Sequence, residues 1–165
     1  MESNKEIKVG VGLGLIKFGW SKEKLIELLG EPDEKESVGY PVSEDEELFT
    51  ESWHYDDPEI SVSFDEDFDG SWRLGTIAVS SEEFTFNGQT VVGLDKTKFE
   101  KMIPAFGLGE FITEDLSTDE SPNIKLISFE ENSINFWFEA DVLTEVQWGP
   151  LFDEEEENPI WPDMN

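Results

Sequence analysis

The chain has 165 residues, of which 37% are hydrophobic and 13% aromatic, so it can build a folded core and is too apolar for a disordered chain. Its 11 Lys and Arg residues compare with 40 Asp and Glu residues, which gives a formal net charge of −29. Such a charge repels nucleic acid phosphates and anionic membranes, and we expect neither as a partner. Because the chain has no cysteine, disulfides, thiolate chemistry and cysteine zinc sites are excluded.

The first segment is predicted to be extended chain rather than a targeting signal. Hydrophobic residues alternate from Ile7 to Leu15, but Gly10, Gly12 and Gly14 interrupt them. The segment lacks the unbroken apolar stretch of a secretory signal, so we expect a cytoplasmic protein. The glycines also resemble a phosphate-binding loop, but G-x-G-x-x-G fails at Leu15, and a role in turns or packing is favoured.

Two short helices are predicted from capping and stop signals. Ser21 is placed to cap a helix that carries an apolar stripe and stops at Gly30. Asp95 is placed to cap a second helix, which has an apolar side and ends near two glycines. Asn87-Gly88, ahead of the second helix, is the strongest two-residue hairpin signal of the chain.

Alternation of apolar and polar residues predicts an antiparallel meander in the first half of the chain. Trp53 and Tyr55 mark one strand, and residues 60–64 mark the next. Residues 72–79 form the returning strand after the turn-rich DEDFDG segment. The acidic segment 36–51, in front of this meander, is predicted to be a loop.

The second half of the chain repeats this order of a capped helix, a glycine stop, an acidic loop and three strands. The loop is predicted over 113–123 and the strands over 124–129, 133–139 and 143–148. Residues 60–64 thereby correspond to residues 134–138.

We therefore predict an α+β fold of two tandem units, each a short helix plus an antiparallel β-meander, with the helices on one face of the sheet. The first unit spans 1–86, and the second spans 87–165 and ends in an acidic C-terminal tail. A unit of roughly 75 residues is too small to be robust alone, so we expect one shared globular body.

The stretch IKFGWSKEKL at 16–25, followed by LLGEPD at 28–33, resembles the helix motif of the SmpA/OmlA-like and β-lactamase-inhibitory-protein-like families. Those families begin a unit with a glycine, a Met-Thr or similar pair, and a short helix that ends in Leu-Gly-x-Pro. The later Trp53-x-Tyr55 strand also suits their pattern. Here Trp20-Ser21 replaces the usual pair, and the clear match covers about a fifth of the chain.

The resemblance implies small helix-plus-sheet units that bind other proteins, and the tandem layout is similar to that of the β-lactamase inhibitor. Members of those families are secreted with disulfides or anchored as lipoproteins through a cysteine. This chain has no cysteine, so their location and partners are not carried over. In charge and size the chain also resembles acidic bacterial immunity proteins that neutralise toxins.

The placement of charge points to a binding surface. No Lys or Arg occurs between Lys35 and Arg73 or after Lys125, whereas lysines cluster in and beside the predicted helices. If both units fold alike, the sheet side is strongly negative, and we expect it to bind a basic protein such as a toxin, with Trp137 as an aromatic anchor. A solvated surface without a partner is the alternative for the acids, and burial under a loop or the other half is the alternative for Trp137. The predicted partner contacts are Trp137, Asp65, Asp67, Asp69, Glu139 and His54.

Two alternatives belong to other functional classes. The DxDxDG run at 65–70 matches the first half of a calcium loop, but its twelfth position is Thr76 rather than Glu, so an acidic hairpin turn is favoured. An enzyme would use His54, the single histidine, or a pair of carboxylates. No nucleophile elbow is present, and adjacent acids carry no signal in so acidic a chain, so we expect no catalytic residue and no cofactor. The sequence does not define an oligomeric state. The candidate calcium ligands are Asp65, Asp67 and Asp69.

Overall fold

The computed structural model describes residues 5–56, 59–67, 69–153 and 159–162. As predicted, the architecture is α+β with mostly antiparallel sheets, and the described part of the chain contains two α-helices. Helix α1 spans Lys22–Leu29, helix α2 spans Lys96–Phe106, and a 3-10 turn covers Glu130–Asn132. Within the described ranges, no helix combines the length and the apolar character needed to cross a bilayer.

The strands are short before α1 and longer after it. In chain order they are β1 (Glu6–Lys8), β2 (Gly12–Leu13), β3 (Ile16–Lys17), β4 (Glu34–Pro41), β5 (Glu47–Tyr55), β6 (Ile60–Glu66), β7 (Trp72–Val79), β8 (Thr85–Phe86), β9 (Gln89–Thr90), β10 (Ile112–Asp115), β11 (Ile124–Phe129), β12 (Ile134–Glu139), β13 (Val142–Trp148), β14 (Leu151–Phe152) and β15 (Pro159–Ile160).

Both helices begin at the residues predicted to cap them. The Ser21 hydroxyl accepts a hydrogen bond from the Lys24 backbone N–H (3.2 Å), and the Asp95 carboxylate accepts one from the Lys98 backbone N–H (2.8 Å). Helix α1 ends at Gly30, whose φ of 80° is a conformation that glycine adopts without a Cβ penalty. The chain therefore enters and leaves α1 at positions that its sequence specifies.

Eight strands form the main antiparallel sheet, in the order β10-β11-β12-β13-β7-β6-β5-β4. Strands β4 to β7 form one meander and strands β10 to β13 form another. The two meanders join where β13 pairs with β7, with Gln147 opposite Ala78. The edges of the sheet are consequently β4 at one end and β10 at the other.

One face of the main sheet is covered by the helices and by a five-stranded sheet in the order β3-β2-β1-β8-β9. The ring of Phe136 lies 4.6 Å from that of Phe99 in α2 and 5.8 Å from that of Phe86 in β8, measured between centroids. The Trp148 indole N–H donates to the Gly12 carbonyl (3.1 Å). The core is one hydrophobic cluster drawn from both halves of the chain.

Tight turns divide the predicted extended entry into the short strands β1, β2 and β3. Gly12 has a φ of 153°, and a Cβ at this position would collide with the Ile16 carbonyl oxygen. Close backbone approach therefore requires the glycine here, which is the packing role favoured from the sequence.

The two segments predicted to be loops contain strands, which corrects the sequence interpretation. Strands β4 and β5 form a long hairpin across 36–51, and β10 occupies the start of 113–123. Both edge strands expose side chains on both faces, so neither shows the apolar alternation that marks an inner strand.

Candidate functional site

The main sheet has a second face, opposite the core, which we call the open face. Because side chains alternate along a strand, this face carries every second residue of each strand, and the pairing register aligns them in rows. The central row is uncharged over most of its length and consists mainly of small polar side chains. From β10 to β4 it contains Ile112, Ser128, Asn135, Gln147, Ala78, Ser61, His54 and Glu34.

Acidic residues surround this polar floor. Arg73 is the basic residue of the described open face; it lies opposite Asp65 in register, and its Nε is 4.0 Å from Asp67 Oδ2. No lysine of the described chain projects from this face, since Lys35 and Lys125 of the main sheet alternate onto the core side. The acidic residues of the open face are Glu34, Glu36, Asp65, Glu114, Glu139 and Glu145.

The lysines lie on the helix side of the molecule. Lys22 Nζ is 3.0 Å from Glu51 Oε2 and 3.6 Å from the centroid of the Trp72 ring. Lys96 forms an ion pair with Glu100 along α2 (3.3 Å). The two faces of the sheet therefore differ in charge, because lysines balance part of the acid on the helix side, whereas Arg73 is the basic residue of the described open face.

Trp137 and Glu145 lie opposite each other on the open face, in β12 and β13. The Trp137 indole N–H is buried and has no acceptor in the described part of the chain, whereas the Trp148 indole N–H is bonded. Burial raises the pKa of the Glu145 carboxyl. A buried donor without an acceptor costs roughly 1–3 kcal/mol, and burial also disfavours the ionised form of Glu145, so this pair destabilises the sheet locally.

His54 contacts a serine but does not form a recognisable catalytic site. Its Nδ1 is 2.8 Å from Ser61 Oγ, and Glu34 lies opposite His54 in register. These side chains project from strands whose backbone N–H groups donate hydrogen bonds to neighbouring strands. Those N–H groups are therefore not available to stabilise an oxyanion. His54 and Ser61 do not line either of the two depressions that lie on the open face beside strands β14 and β15. The geometry favours a hydrogen-bonded surface over a nucleophile and its base.

The three aspartates of the possible calcium loop do not converge. Asp65 projects from β6, Asp67 faces Arg73, and Asp69 accepts hydrogen bonds from the hydroxyl and backbone N–H of Ser71. These Ser71 bonds hold the pKa of Asp69 below its usual range. Among the described residues, no group of three or more acidic or histidine side chains could hold a metal ion. The geometry favours the acidic turn.

Two shallow depressions meet on the open face beside the C-terminal hairpin of β14 and β15. Their volumes are about 470 and 510 Å³, and both are lined by Asp65, Gly75, Pro150 and Phe152. The Trp161 ring centroid lies 5.7 Å from the Arg73 guanidinium at the edge of the second depression. Both depressions are open to solvent, which suits a protruding side chain of a partner better than an enclosed small molecule.

Four of the six predicted contacts project from the open face and two lie in the turn at its end, and whether any of them binds a partner stays a prediction. Sequence reasoning missed Glu145, because a one-residue bulge at Thr144 breaks the alternation of β13. It also missed the edge acids, since β4 and β10 were interpreted as loops. Trp137, Glu139, Asp65 and His54 project from the open face, and Asp67 and Asp69 lie in the turn between β6 and β7.

No family model, curated protein or solved structure matches this chain.

Proposed function

We propose that the chain is a protein-binding module that holds a basic protein against the open face, in the form of an inhibitor or immunity protein that neutralises a toxin. The observation that carries the proposal is the charge of this face, which has acids from β4 to β10, Arg73 as its basic residue and no lysine among the described residues. Partner Lys and Arg side chains would meet carboxylates, and long-range attraction would speed the encounter.

The shape of the open face supports the same proposal. Its centre is a floor of small side chains, so the backbone of a partner can approach the sheet closely. Trp137 rises beside this floor as an aromatic anchor of the kind that dominates interface energies. Binding would also bring a cation to the Glu145 carboxylate, whose ionisation burial disfavours.

We further infer that the chain consists of two tandem helix-plus-meander units, over 1–86 and 87–165, with the helices on one face of the sheet. The strand register supports this, because Ile60 lies opposite Val79 in the first meander as Ile134 lies opposite Trp148 in the second. Each meander also contains one extra residue at the corresponding place. These bulged residues are Gly75 and Thr144.

Backbone hydrogen bonds support the same correspondence. In each half, the two residues ahead of the helix-capping residue form backbone hydrogen bonds of 2.8–2.9 Å with the residue that precedes the bulge. Under this alignment Asp65 corresponds to Glu139, so each unit contributes an acid to the same position of the open face. The hydrogen-bonded sets are Gly19 and Trp20 with Leu74, and Gly93 and Leu94 with Leu143.

Affinity capture with matched variants tests the binding function. The open-face variant carries Asp65→Asn and Glu139→Gln, and the control carries Glu23→Gln and Glu27→Gln on α1, which removes the same charge from the helix side. The product of the neighbouring gene is the first partner to test. We expect wild type and control to hold a protein with an excess of Lys and Arg, and the open-face variant to hold it about tenfold or more weakly.

A second variant separates the anchor from the charge. Trp137→Ala should weaken the same complex by roughly tenfold or more while leaving its salt dependence unchanged, because it removes contact area and no charge. Equal capture by wild type and both open-face variants, or a partner that is itself acidic, would overturn the proposal.

A further inference from the structure

The edge strand β10 is uncovered. Every residue from Gly109 to Asn123 is exposed, and Phe111, Ile112 and Leu116 have 41%, 44% and 39% of their surface accessible. The strand pairs with β11 on one side and has no neighbour in the described sheet on the other. An edge with exposed apolar side chains is a template on which another strand can pair.

The hydrogen-bond pattern identifies the backbone groups that are open. The Leu116 N–H donates to a carbonyl of β11 (2.8 Å), and antiparallel pairs alternate between bonded and non-bonded positions. Ile112 and Glu114 therefore direct their backbone groups toward β11, whereas Thr113 and Asp115 direct theirs away from the sheet. The N–H and C=O groups of these last two residues are available to a new strand.

The opposite edge, β4, is protected by features that β10 lacks. The Val42 N–H donates to the Glu46 carbonyl (3.0 Å), so the odd-numbered residues of β4 direct their backbone N–H and C=O groups away from the sheet. These include Lys35, whose charge discourages pairing, and Pro41, which has no N–H to donate. The contrast within one sheet indicates that β10, and not β4, is suited to receive a strand.

We propose that the free edge of β10 binds a β-strand of the basic partner and extends the eight-stranded sheet by one strand. The choice of a basic partner rests on the function proposed above. Glu114 lies between Ile112 and Leu116 on the open-face side, so the matching strand has a Lys or Arg between two apolar residues. Asp115 adds a second carboxylate on the other side.

A second copy of this chain fits the edge less well than a basic strand. Antiparallel pairing of β10 with itself, in the registers centred on Glu114 or on Asp115, would place that acid directly opposite its own copy, and like charges across a ladder are destabilising. Each copy also carries a net charge of −29. A Lys- or Arg-containing strand replaces this repulsion with attraction.

The probe for this proposal is a short blocked peptide of sequence Val-Lys-Lys-Thr-Val, which presents valine, lysine and valine on one face and places its other lysine opposite Asp115. The counterpart, Val-Glu-Glu-Thr-Val, replaces both lysines with glutamate. In the wild-type chain, we expect the lysine peptide to slow amide hydrogen exchange of Thr113 and Asp115 by at least about tenfold, because their N–H groups enter a ladder. The amides of Ile112 and Glu114, which already bond to β11, should change much less. The glutamate peptide should not bind.

Two substitutions at one position separate pairing from simple attraction. Thr113→Pro removes the backbone N–H that points away from the sheet but none of the hydrogen bonds to β11, so it should weaken binding of the lysine peptide roughly tenfold. Thr113→Val retains this N–H and should bind the peptide as the wild type does. If Thr113→Pro does not fold, Glu114→Lys preserves the backbone and should weaken the same peptide through charge repulsion.

Three outcomes would overturn the edge proposal: no binding of the lysine peptide, equal binding by Thr113→Pro and Thr113→Val, or slowed exchange in other strands only. A stable dimer of the free chain that Thr113→Pro dissociates would assign the edge to a second copy and also overturn it. The face and edge proposals fail separately, because Trp137→Ala tests the open face and leaves the edge N–H groups of Thr113 and Asp115 intact.

Discussion

Two partly buried glutamates, on opposite faces of the main sheet, have pKa values shifted in opposite directions. Burial would raise the pKa of Glu51, but hydrogen bonds from the Trp53 indole N–H (2.6 Å) and the Lys22 ammonium (3.0 Å) outweigh it and lower that pKa. Burial without such compensation raises the pKa of Glu145. Ionisation of Glu51 therefore stabilises the fold, and ionisation of Glu145 destabilises it.

We expect Glu51→Gln and Glu145→Gln to have opposite effects on the free energy of unfolding at pH 7. The stability from Glu51 is present above the ordinary Glu pKa of about 4.3 and is lost as pH falls through the lowered pKa, so its substitution should destabilise the chain at pH 7. The cost of ionised Glu145 is present above its raised pKa and disappears as pH falls through it, so its substitution should stabilise.

Urea unfolding of the wild type and both variants between pH 7 and pH 3 measures this difference. Both effects should shrink toward acid pH, because wild-type glutamate is then neutral in the folded and the unfolded chain. A loss of stability at pH 7 in both variants would contradict the environment assigned to Glu145.

At the scale of elements, the helix caps give independent predictions in the two halves of the chain. Ser21→Ala and Asp95→Ala should each lower the free energy of unfolding by about 1 kcal/mol, because each removes an acceptor for a backbone N–H of the first turn. The caps lie in separate helices, so the double variant should show the sum. Ser21→Asp retains an acceptor and serves as the control. Chemical denaturation measures all four variants, and an unchanged Ser21→Ala would contradict the cap.

Inner strands and helices could be predicted from the sequence, whereas the edge strands could not. In β12, residues buried in the core alternate with residues of the open face, so the local pattern alone predicts a strand. Strand β4 has the sequence EKESVGYP and strand β10 has ITED, and neither has a buried face to produce such a pattern. Their pairing depends on the neighbouring strand, which no local window of sequence contains.

At the scale of the whole molecule, the sequence predicts part of the open face. Trp137 alternates with Phe136 and Phe138, and its position on the side away from the core follows from that pattern. Its neighbour Glu145 does not follow, because their apposition depends on the register between β12 and β13 and on the bulge at Thr144. The pair is a property of the assembled sheet.

The net charge of −29 predicts opposite effects of salt on the free chain and on its complex. Like charges repel within the folded chain, so raising sodium chloride from low concentration to about 1 M, where the Debye length is about 3 Å, should raise the melting temperature. The same screening should slow association with a basic partner about tenfold or more, because steering at long range is lost. Calorimetry of the free chain and stopped-flow mixing of the chain with its partner measure the two effects.

The Glu23→Gln and Glu27→Gln control should keep the salt dependence of association, and the Asp65→Asn and Glu139→Gln variant should reduce it. Association that does not change with salt would remove electrostatic attraction from the proposed function, whatever the melting temperature does.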